Sequence, residues 1–408
     1  MSYMPKPCAP FRQVIFAAVC LIGAVSALAA PNPVSGPSKA HDGFQTAAAH
    51  AILIDAESGS VLFEKAADDL IPPASLSKLM TAEVVFNELR TERFQPTTEF
   101  IVSTNAWRRG GAPSHTSSMF LPIHTKASID ALLHGVIIQS ANDACITLAE
   151  GISGNESAFA ELMTKRAREI GLTKSTFGNS SGLPDPRQLM TSRELGKLAR
   201  HIIQTYPDYY KYYGEREFTW NKIRQYNRNP LLNMNIGADG MKTGFTKEAG
   251  YGLVGSAVQN GLRLIVVVNG LRSEKERADE GKKLLEWGFH NFQSSLLFSE
   301  GQEIAYAKVY GGAKGSVPVV AEKAVNLMVP RGVRERIIAR MVYSGPVRAP
   351  VQQGQSIGTL KVWRGEFLVL EVPVQAAESV GTGSMSRKAF DAATEMVLGV
   401  FRAGLQRL

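Results

Sequence analysis

Apolar residues recur at helical spacing after two prolines in the first quarter of the chain. From Ser75 onward, apolar side chains follow at Leu76, Leu79, Met80 and Val84. Intervals of three and four residues produce one apolar face, and proline is common just before a helix begins. The pattern therefore predicts a helix with Ser75 at or beside its N-terminus.

Shorter apolar runs separated by glycines occupy a later part of the chain. Residues 239–257 and 261–270 have strand-like lengths and glycine-rich turns. Such runs are typical of two or three adjacent strands in an antiparallel sheet. A helix is predicted to follow at 273–289, because charge-rich first turns lead there into apolar residues at helical spacing.

The pattern changes after about Phe292. Segments such as 303–310, 324–329 and 366–372 alternate or run apolar over short lengths between glycine and proline turns. This pattern predicts a small all-β domain at 293–380. The domain carries no catalytic constellation, so we expect it to position the first domain or to bind a partner.

The end of the chain, residues 386–408, has apolar residues along one helical stripe, with four basic and two acidic groups opposite. A basic amphipathic helix at a chain end can lie in a membrane interface. Packing against the β domain would give the same periodicity, so both interpretations stay open at this point.

The start of the chain is predicted to be a secretory signal peptide at 1–29. Lys6 and Arg12 precede an apolar stretch that is short for a permanent span, and an Ala-x-Ala type cleavage site lies near Ala29. An uncleaved anchor is the alternative. Residues 30–46, rich in Pro, Ser, Gly and Ala, are expected to form a flexible lead.

Length and charge limit the function further. A chain of 408 residues with 44% apolar content can form two or more domains, and the first is placed at 47–292. Loss of the signal peptide lowers the formal net charge from +8 to +6. Export, together with the lack of a clustered basic and aromatic stripe, argues against a nucleic-acid partner.

Of the three cysteines, only Cys145 would remain after the signal peptide is removed, which precludes an intramolecular disulfide. Cys145 is expected to be buried rather than nucleophilic.

The most informative chemical motif is Ser75-Leu76-Ser77-Lys78. On a helix, Lys78 projects about one turn from Ser75 and can take its hydroxyl proton. A lysine acts as a base only when neutral, and burial and a nearby cation such as Lys242 both lower its pKa. An ordinary N-cap would explain Ser75 but not Lys78, since a cation in the first turn is unfavourable to the helix dipole.

Two further motifs follow along the chain. Ser140-Ala141-Asn142 lies between two helical runs, where side chains can enter a cleft or form a plain turn. Lys242-Thr243-Gly244 lies on a predicted strand, where its polar groups can meet a carboxylate and the glycine lets a substrate backbone approach. A solvated strand edge is the alternative for this third motif.

In this order, the three motifs resemble the signature of penicillin-binding proteins and class A β-lactamases. The whole chain is most similar to the low-molecular-mass penicillin-binding proteins that act as D-alanyl-D-alanine carboxypeptidases. The likeness extends to residues 51–63, 177–185 and 272–277. It implies an α/β (α+β) fold in which helices flank an antiparallel sheet, followed by the β domain and a C-terminal helix that often anchors the family to the membrane.

The resemblance also implies catalytic roles. Ser75 is expected to be the acylated nucleophile and Lys78 its base. Ser140 is expected to relay a proton to the leaving D-alanine, while Asn142 holds the substrate amide and Lys78. Lys242 is expected to set the electrostatics of the site.

Substrate binding is assigned on the same basis. Thr243 and Arg277 are expected to bind the terminal carboxylate, next to the Gly244 strand edge. The backbone N–H groups of Ser75 and Phe245 are expected to form the oxyanion hole. The expected partners are peptidoglycan stem peptides, and β-lactams as covalent inhibitors, at the periplasmic face of the cytoplasmic membrane.

Two other functions share these residues. A class A β-lactamase needs a carboxylate-bearing loop that activates water, and no Glu-x-x-x-Asn type loop occurs near 177–186. A non-enzymatic wall-binding scaffold would not require an intact set of chemical residues. Neither a cofactor nor a metal is expected, because no metal-ligand spacing is present and no histidine falls in the three motifs.

Overall fold

The structure is a computed structural model that describes residues 44–332, 336–389 and 391–392. The predicted signal peptide, most of the predicted lead and most of the predicted C-terminal helix lie outside the described residues. The strands, in chain order, are β1 His50–Asp55, β2 Val61–Lys65, β3 Glu99–Ile101, β4 Lys126–Ser128, β5 Glu217–Trp220, β6 Ile223–Tyr226, β7 Ala238–Thr246, β8 Gly250–Gln259, β9 Leu262–Leu271, β10 Phe292–Phe298, β11 Ala305–Tyr310, β12 Ser316–Ala321, β13 Val325–Pro330, β14 Ile337–Tyr343, β15 Val347–Arg348, β16 Ser356–Arg364 and β17 Phe367–Ala376.

The helices lie mainly in the first part of the chain. They are α1 Lys78–Arg90, α2 Thr104–Gly110, α3 Ile129–His134, α4 Asn142–Ser153, α5 Glu156–Glu169, α6 Ser192–Thr205, α7 Pro207–Tyr210 and α8 Glu274–Asn291. A 3₁₀ helix, Ala74–Ser77, leads directly into α1, and a π-helical turn, Gly135–Gln139, follows α3.

The central sheet has five strands in the order β2-β1-β9-β8-β7, and every neighbouring pair is antiparallel. Alternate residues of β9 enter opposite cores: Ile265 and Val267 pack on the side of α6, and Leu264 and Val266 pack on the side of α8. A strand buried on both faces reads as a continuous apolar run, as β9 does. The predicted antiparallel sheet flanked by helices is confirmed.

The C-terminal part is an all-β domain, as predicted. Six strands form a sheet in the order β14-β16-β17-β12-β11-β15, and β10 pairs with β13 in a separate two-stranded ladder. Phe292 of β10 and Met328 of β13 belong to the same core cluster as strands of the central sheet. This ladder therefore joins the β domain to the first domain.

Candidate active site

The first motif brings a hydroxyl and an amine into contact. Because the 3₁₀ helix runs straight into α1, Ser75 and Lys78 lie about one turn apart, and Lys78 Nζ is 3.0 Å from Ser75 Oγ. The amine also donates to the backbone carbonyl of Ser181. Ala74, just before the serine, has a left-handed backbone with φ of 49°. Such strain in a non-glycine residue is common at functional sites.

Two buried amines determine the electrostatics of the site. Lys78 is 1% exposed, and burial lowers its pKa to about 8. Burial also lowers the pKa of Lys242 well below its ordinary value, and the positive charge of Lys78 lowers it further. A site that desolvates two amines disfavours having both protonated. It can therefore hold an uncharged amine near neutral pH, as general-base chemistry requires.

The second motif occupies the break between the π-helical turn and α4. Ser140 ends the turn in a left-handed conformation with φ of 63° and is buried. Asn142 begins α4, and its Nδ2 donates to Thr116 Oγ1 at 2.9 Å. The Asn142 backbone N–H donates to the carbonyl of Ser117 at 2.7 Å. The break thereby ties the second motif to the 116–117 segment.

Asp143 of α4 fixes the loop that follows, residues 118–121, through hydrogen bonds. Its buried carboxylate accepts hydrogen bonds from Ser118 Oγ at 2.7 Å and from the backbone N–H groups of Met119 at 3.0 Å and Leu121 at 3.1 Å. Burial raises the pKa of this carboxyl above its ordinary value, against the effect of these donors. Asp143 therefore holds the 118–121 loop on α4, a role that no motif indicated.

The third motif lies on β7, which is one of the two edge strands of the central sheet. Thr243 is buried, and Lys242 Nζ donates to the Thr243 carbonyl at 3.1 Å. A Cβ atom at Gly244 would lie 3.0 Å from Leu76 Cγ and 3.1 Å from the Pro73 carbonyl oxygen. The packing of β7 against the 3₁₀ helix that carries Ser75 therefore requires a glycine at this position. That its small size also admits a substrate backbone stays a prediction.

The two remaining predicted residues both contact Tyr251. Phe245 is 48% exposed, and its ring stacks on that of Tyr251 with centroids 4.2 Å apart. Arg277 of α8 is 6% exposed and lies 5.6 Å from the centre of the same ring. Within the described residues its Nε has no hydrogen-bond partner. A buried guanidinium of this kind suits a ligand carboxylate.

A cleft of about 420 Å³ opens at Ser75. Asn142 and Phe245 also line it, so all three motif regions border one cavity. Its lining residues are Ser75, His115, Thr116, Ser117, Asn142, Ser181, Gly182, Leu183, Arg228, Phe245 and Thr246. None of them is an aspartate or a glutamate, so the described wall of the cleft carries no carboxylate.

The loop at 179–183 contains the Ser181 carbonyl that accepts the hydrogen bond from Lys78. Asn179 Oδ1 accepts from the backbone N–H groups of Ser181 at 3.1 Å and Gly182 at 2.7 Å, which closes the loop on itself. A Cβ atom at Gly182, whose φ is 80°, would lie 2.0 Å from the carbonyl oxygen of Ala74. The loop therefore packs directly against Ala74, the residue before Ser75.

Comparison with known proteins agrees with this arrangement. The D-alanyl-D-alanine carboxypeptidase family matches residues 36–273, and the C-terminal domain family of penicillin-binding protein 5 matches residues 292–382. The D-alanyl-D-alanine carboxypeptidase DacC of Escherichia coli (strain K12) is 38% identical over 343 residues, which are 83% of this chain and 86% of that protein. The chain belongs to this carboxypeptidase family.

Solved structures extend the comparison. Penicillin-binding protein 5 from Haemophilus influenzae is 38% identical with a TM-score of 0.71, covering 85% of this chain and 99% of that one. Penicillin-binding protein D2 from Listeria monocytogenes in its ampicillin-bound form is 30% identical with a TM-score of 0.53, covering 61% of this chain and 100% of that one. As a family member, the protein is a serine-type carboxypeptidase and a hydrolase.

Several residues of this carboxypeptidase cleft were not predicted. Thr116 and Ser117 contact the second motif, and Arg228 donates to Ser117 Oγ at 2.8 Å. They belong to none of the three motifs, so only the fold brings them to the cleft. Cys145, predicted to be a buried apolar residue, is fully buried, and burial raises the pKa of its thiol to about 12. A thiol in that state is not a nucleophile.

Proposed function

We propose that Ser75 is the nucleophile and Lys78 the general base of a D-alanyl-D-alanine carboxypeptidase acting on peptidoglycan stem peptides. The observation that carries the proposal is the 3.0 Å contact between Ser75 Oγ and a buried amine whose pKa is lowered to about 8. A neutral amine at that distance can accept the hydroxyl proton directly.

The reaction has two covalent steps. Lys78 takes the proton of Ser75, whose oxygen attacks the carbonyl between the two terminal D-alanines. Ser140 relays a proton to the leaving D-alanine nitrogen, and Asn142 holds the substrate amide. Water then hydrolyses the serine ester and releases the shortened peptide.

Charge complementarity orients the substrate. Thr243 and Arg277 receive its terminal carboxylate, and Lys242 keeps this part of the site positive. The backbone N–H groups of Ser75 and Phe245 stabilise the oxyanion. The unpaired Nε of Arg277 and its burial next to Tyr251 support this assignment.

The same serine would be acylated by β-lactams. Class A β-lactamases use a carboxylate to activate the water that hydrolyses a penicilloyl ester, and no carboxylate lines the described cleft, so this route of penicillin hydrolysis is missing here. We therefore propose that penicillins form a stable acyl-enzyme on Ser75.

Intact-mass spectrometry after exposure to penicillin tests the nucleophile. Wild-type protein should gain the mass of one penicillin on Ser75, and Ser75→Ala should lose both this adduct and D-alanine release. Cys145→Ala should keep both, because the Cys145 thiol is buried and protonated. Adduct formation or D-alanine release by Ser75→Ala would refute the assignment.

We also place the mature protein at the periplasmic face of the cytoplasmic membrane, held peripherally by residues 386–408. The signal peptide and the basic amphipathic pattern support this placement. No helix in the described ranges is long and apolar enough to cross a bilayer. Mature protein should float with anionic vesicles, whereas a chain ending at Ser384 should not. Equal flotation of the two would remove the anchor.

A further inference from the structure

A second pocket of about 250 Å³ adjoins the catalytic cleft. Gly182, Leu183 and Thr246 line both cavities, so the two share a boundary. We call it the proline pocket, because Pro72 and Pro73 form one wall, and Pro184, Pro186 and Leu189 join Leu183 in the other. Its walls are mainly apolar and suit an aliphatic chain.

One carboxylate of this pocket is free to meet a ligand. Asp185 also lines the pocket, but Arg187 holds it through Nη2 at 2.9 Å and Nε at 3.1 Å. Glu248, on the turn between β7 and β8, is exposed and has no ion pair or hydrogen bond with any described side chain. Lys247, which precedes it, is exposed and does not line the pocket.

The direction of β7 places this pocket on the acyl-donor side of the scissile bond. The terminal carboxylate is assigned to Thr243 and Arg277, and the reacting carbonyl to Ser75 and the Phe245 N–H. A peptide lying along the edge of β7 therefore continues past Thr246, where the strand ends and the proline pocket opens.

We infer that the proline pocket binds the side chain of the residue before the terminal D-alanines, and that it selects an aliphatic chain ending in a primary ammonium. The proline and leucine walls contact the methylene groups, and Glu248 pairs with the ammonium at the rim. This inference rests on the proposed function, because it uses the substrate direction assigned there.

Matched peptides test the inference. D-alanine release is measured for two substrates that end in lysyl-D-alanyl-D-alanine, one with a free ε-amine and one with that amine acetylated. An exposed ion pair has a modest effect, so wild type should prefer the free amine in kcat/KM by about threefold to fivefold. This ratio should fall to about one in Glu248→Gln, and in wild type it should fall as ionic strength rises.

Glu322→Gln is the control, because Glu322 is an exposed carboxylate on the β domain. It should keep the wild-type ratio. The inference is overturned if wild type does not distinguish the peptides, or if Glu248→Gln keeps the preference. Failure of the proposed function would look different, because neither peptide would then release D-alanine through Ser75.

Discussion

At the scale of single residues, the proposed role of Lys78 as general base predicts how acylation depends on pH. Only the neutral amine can accept the Ser75 proton, and a pKa of about 8 leaves about a tenth of it neutral at pH 7. The second-order rate constant for acylation by a fluorescent penicillin should therefore rise about tenfold per pH unit below pH 7 and level off above pH 9.

A control lysine distinguishes titration of Lys78 from a change in the net charge of the surface. Lys275→Ala removes an exposed lysine on α8 and should leave the profile unchanged. Lys78→Arg should be inactive across the range, because a guanidinium stays protonated. A rate that does not change between pH 6 and 9 would show that Lys78 is not the base.

The sequence predicted contacts within a short motif and missed contacts between distant parts of the chain. Ser75 and Lys78 are three positions apart, so their contact follows from helical geometry alone. Arg228 contacts Ser117 across 111 positions, and Asn142 contacts Thr116 across 26. No local pattern encodes such contacts, because tertiary packing determines them.

At the scale of elements, the 179–183 loop packs against the 3₁₀ helix and is expected to hold it in place. Gly182→Ala should disturb it, because the added Cβ would meet the Ala74 carbonyl oxygen at 2.0 Å and Ser77 Oγ at 2.5 Å. Gly171→Ala is the matched control, since its φ of 81° is nearly the same and nothing lies within 4 Å.

Comparing the two variants should separate the effect of a strained backbone from the effect of a steric clash at the added Cβ. Gly171→Ala should lower the free energy of unfolding by about 1–2 kcal/mol and leave penicillin acylation unchanged. Gly182→Ala should lower it by more and slow acylation at least about tenfold, because Ala74 precedes Ser75 and the Ser181 carbonyl accepts from Lys78. Urea unfolding and the fluorescent penicillin measure the two effects. Equal effects on both quantities would contradict a supporting role for the loop.

Helix α1 shows what periodicity predicts and what it leaves out. The apolar spacing correctly predicted a helix, but it indicated one apolar face. The structure also buries Glu83, whose carboxylate meets Arg166 at 3.0 Å and His201 at 3.1 Å. Because charged groups on other elements surround Glu83, the sequence pattern of α1 alone could not reveal that this side of the helix is covered.

At the scale of the whole molecule, the β10–β13 ladder couples the two domains. Met328 packs in the core beside the central sheet, and its backbone N–H reaches Ser60 Oγ at 3.5 Å. Met328→Ala should therefore lower the thermal transitions of both domains, since truncating a buried methionine costs about 2–5 kcal/mol. Val362→Ala, in the core of the β domain alone, should lower only one.

Scanning calorimetry resolves these transitions, and penicillin acylation at 25 °C should be unchanged in both variants. If Met328→Ala affects only the β-domain transition, the ladder does not couple the domains.

The sequence predicted the β domain from its short apolar runs. It did not predict this shared core, because strand partners and interface contacts are not encoded in local spacing.

Within the part of the chain that the structure describes, no strand pairs with the outer edge of β7, and this has a consequence for antibiotic susceptibility. A peptide that aligns with such an edge is held largely through its main chain, which all stem peptides share whatever their side chains. A drug that carries an amide and a carboxylate at matching positions presents the same groups to the strand. A substitution on this strand that weakens binding of the drug should therefore also weaken binding of the stem peptide.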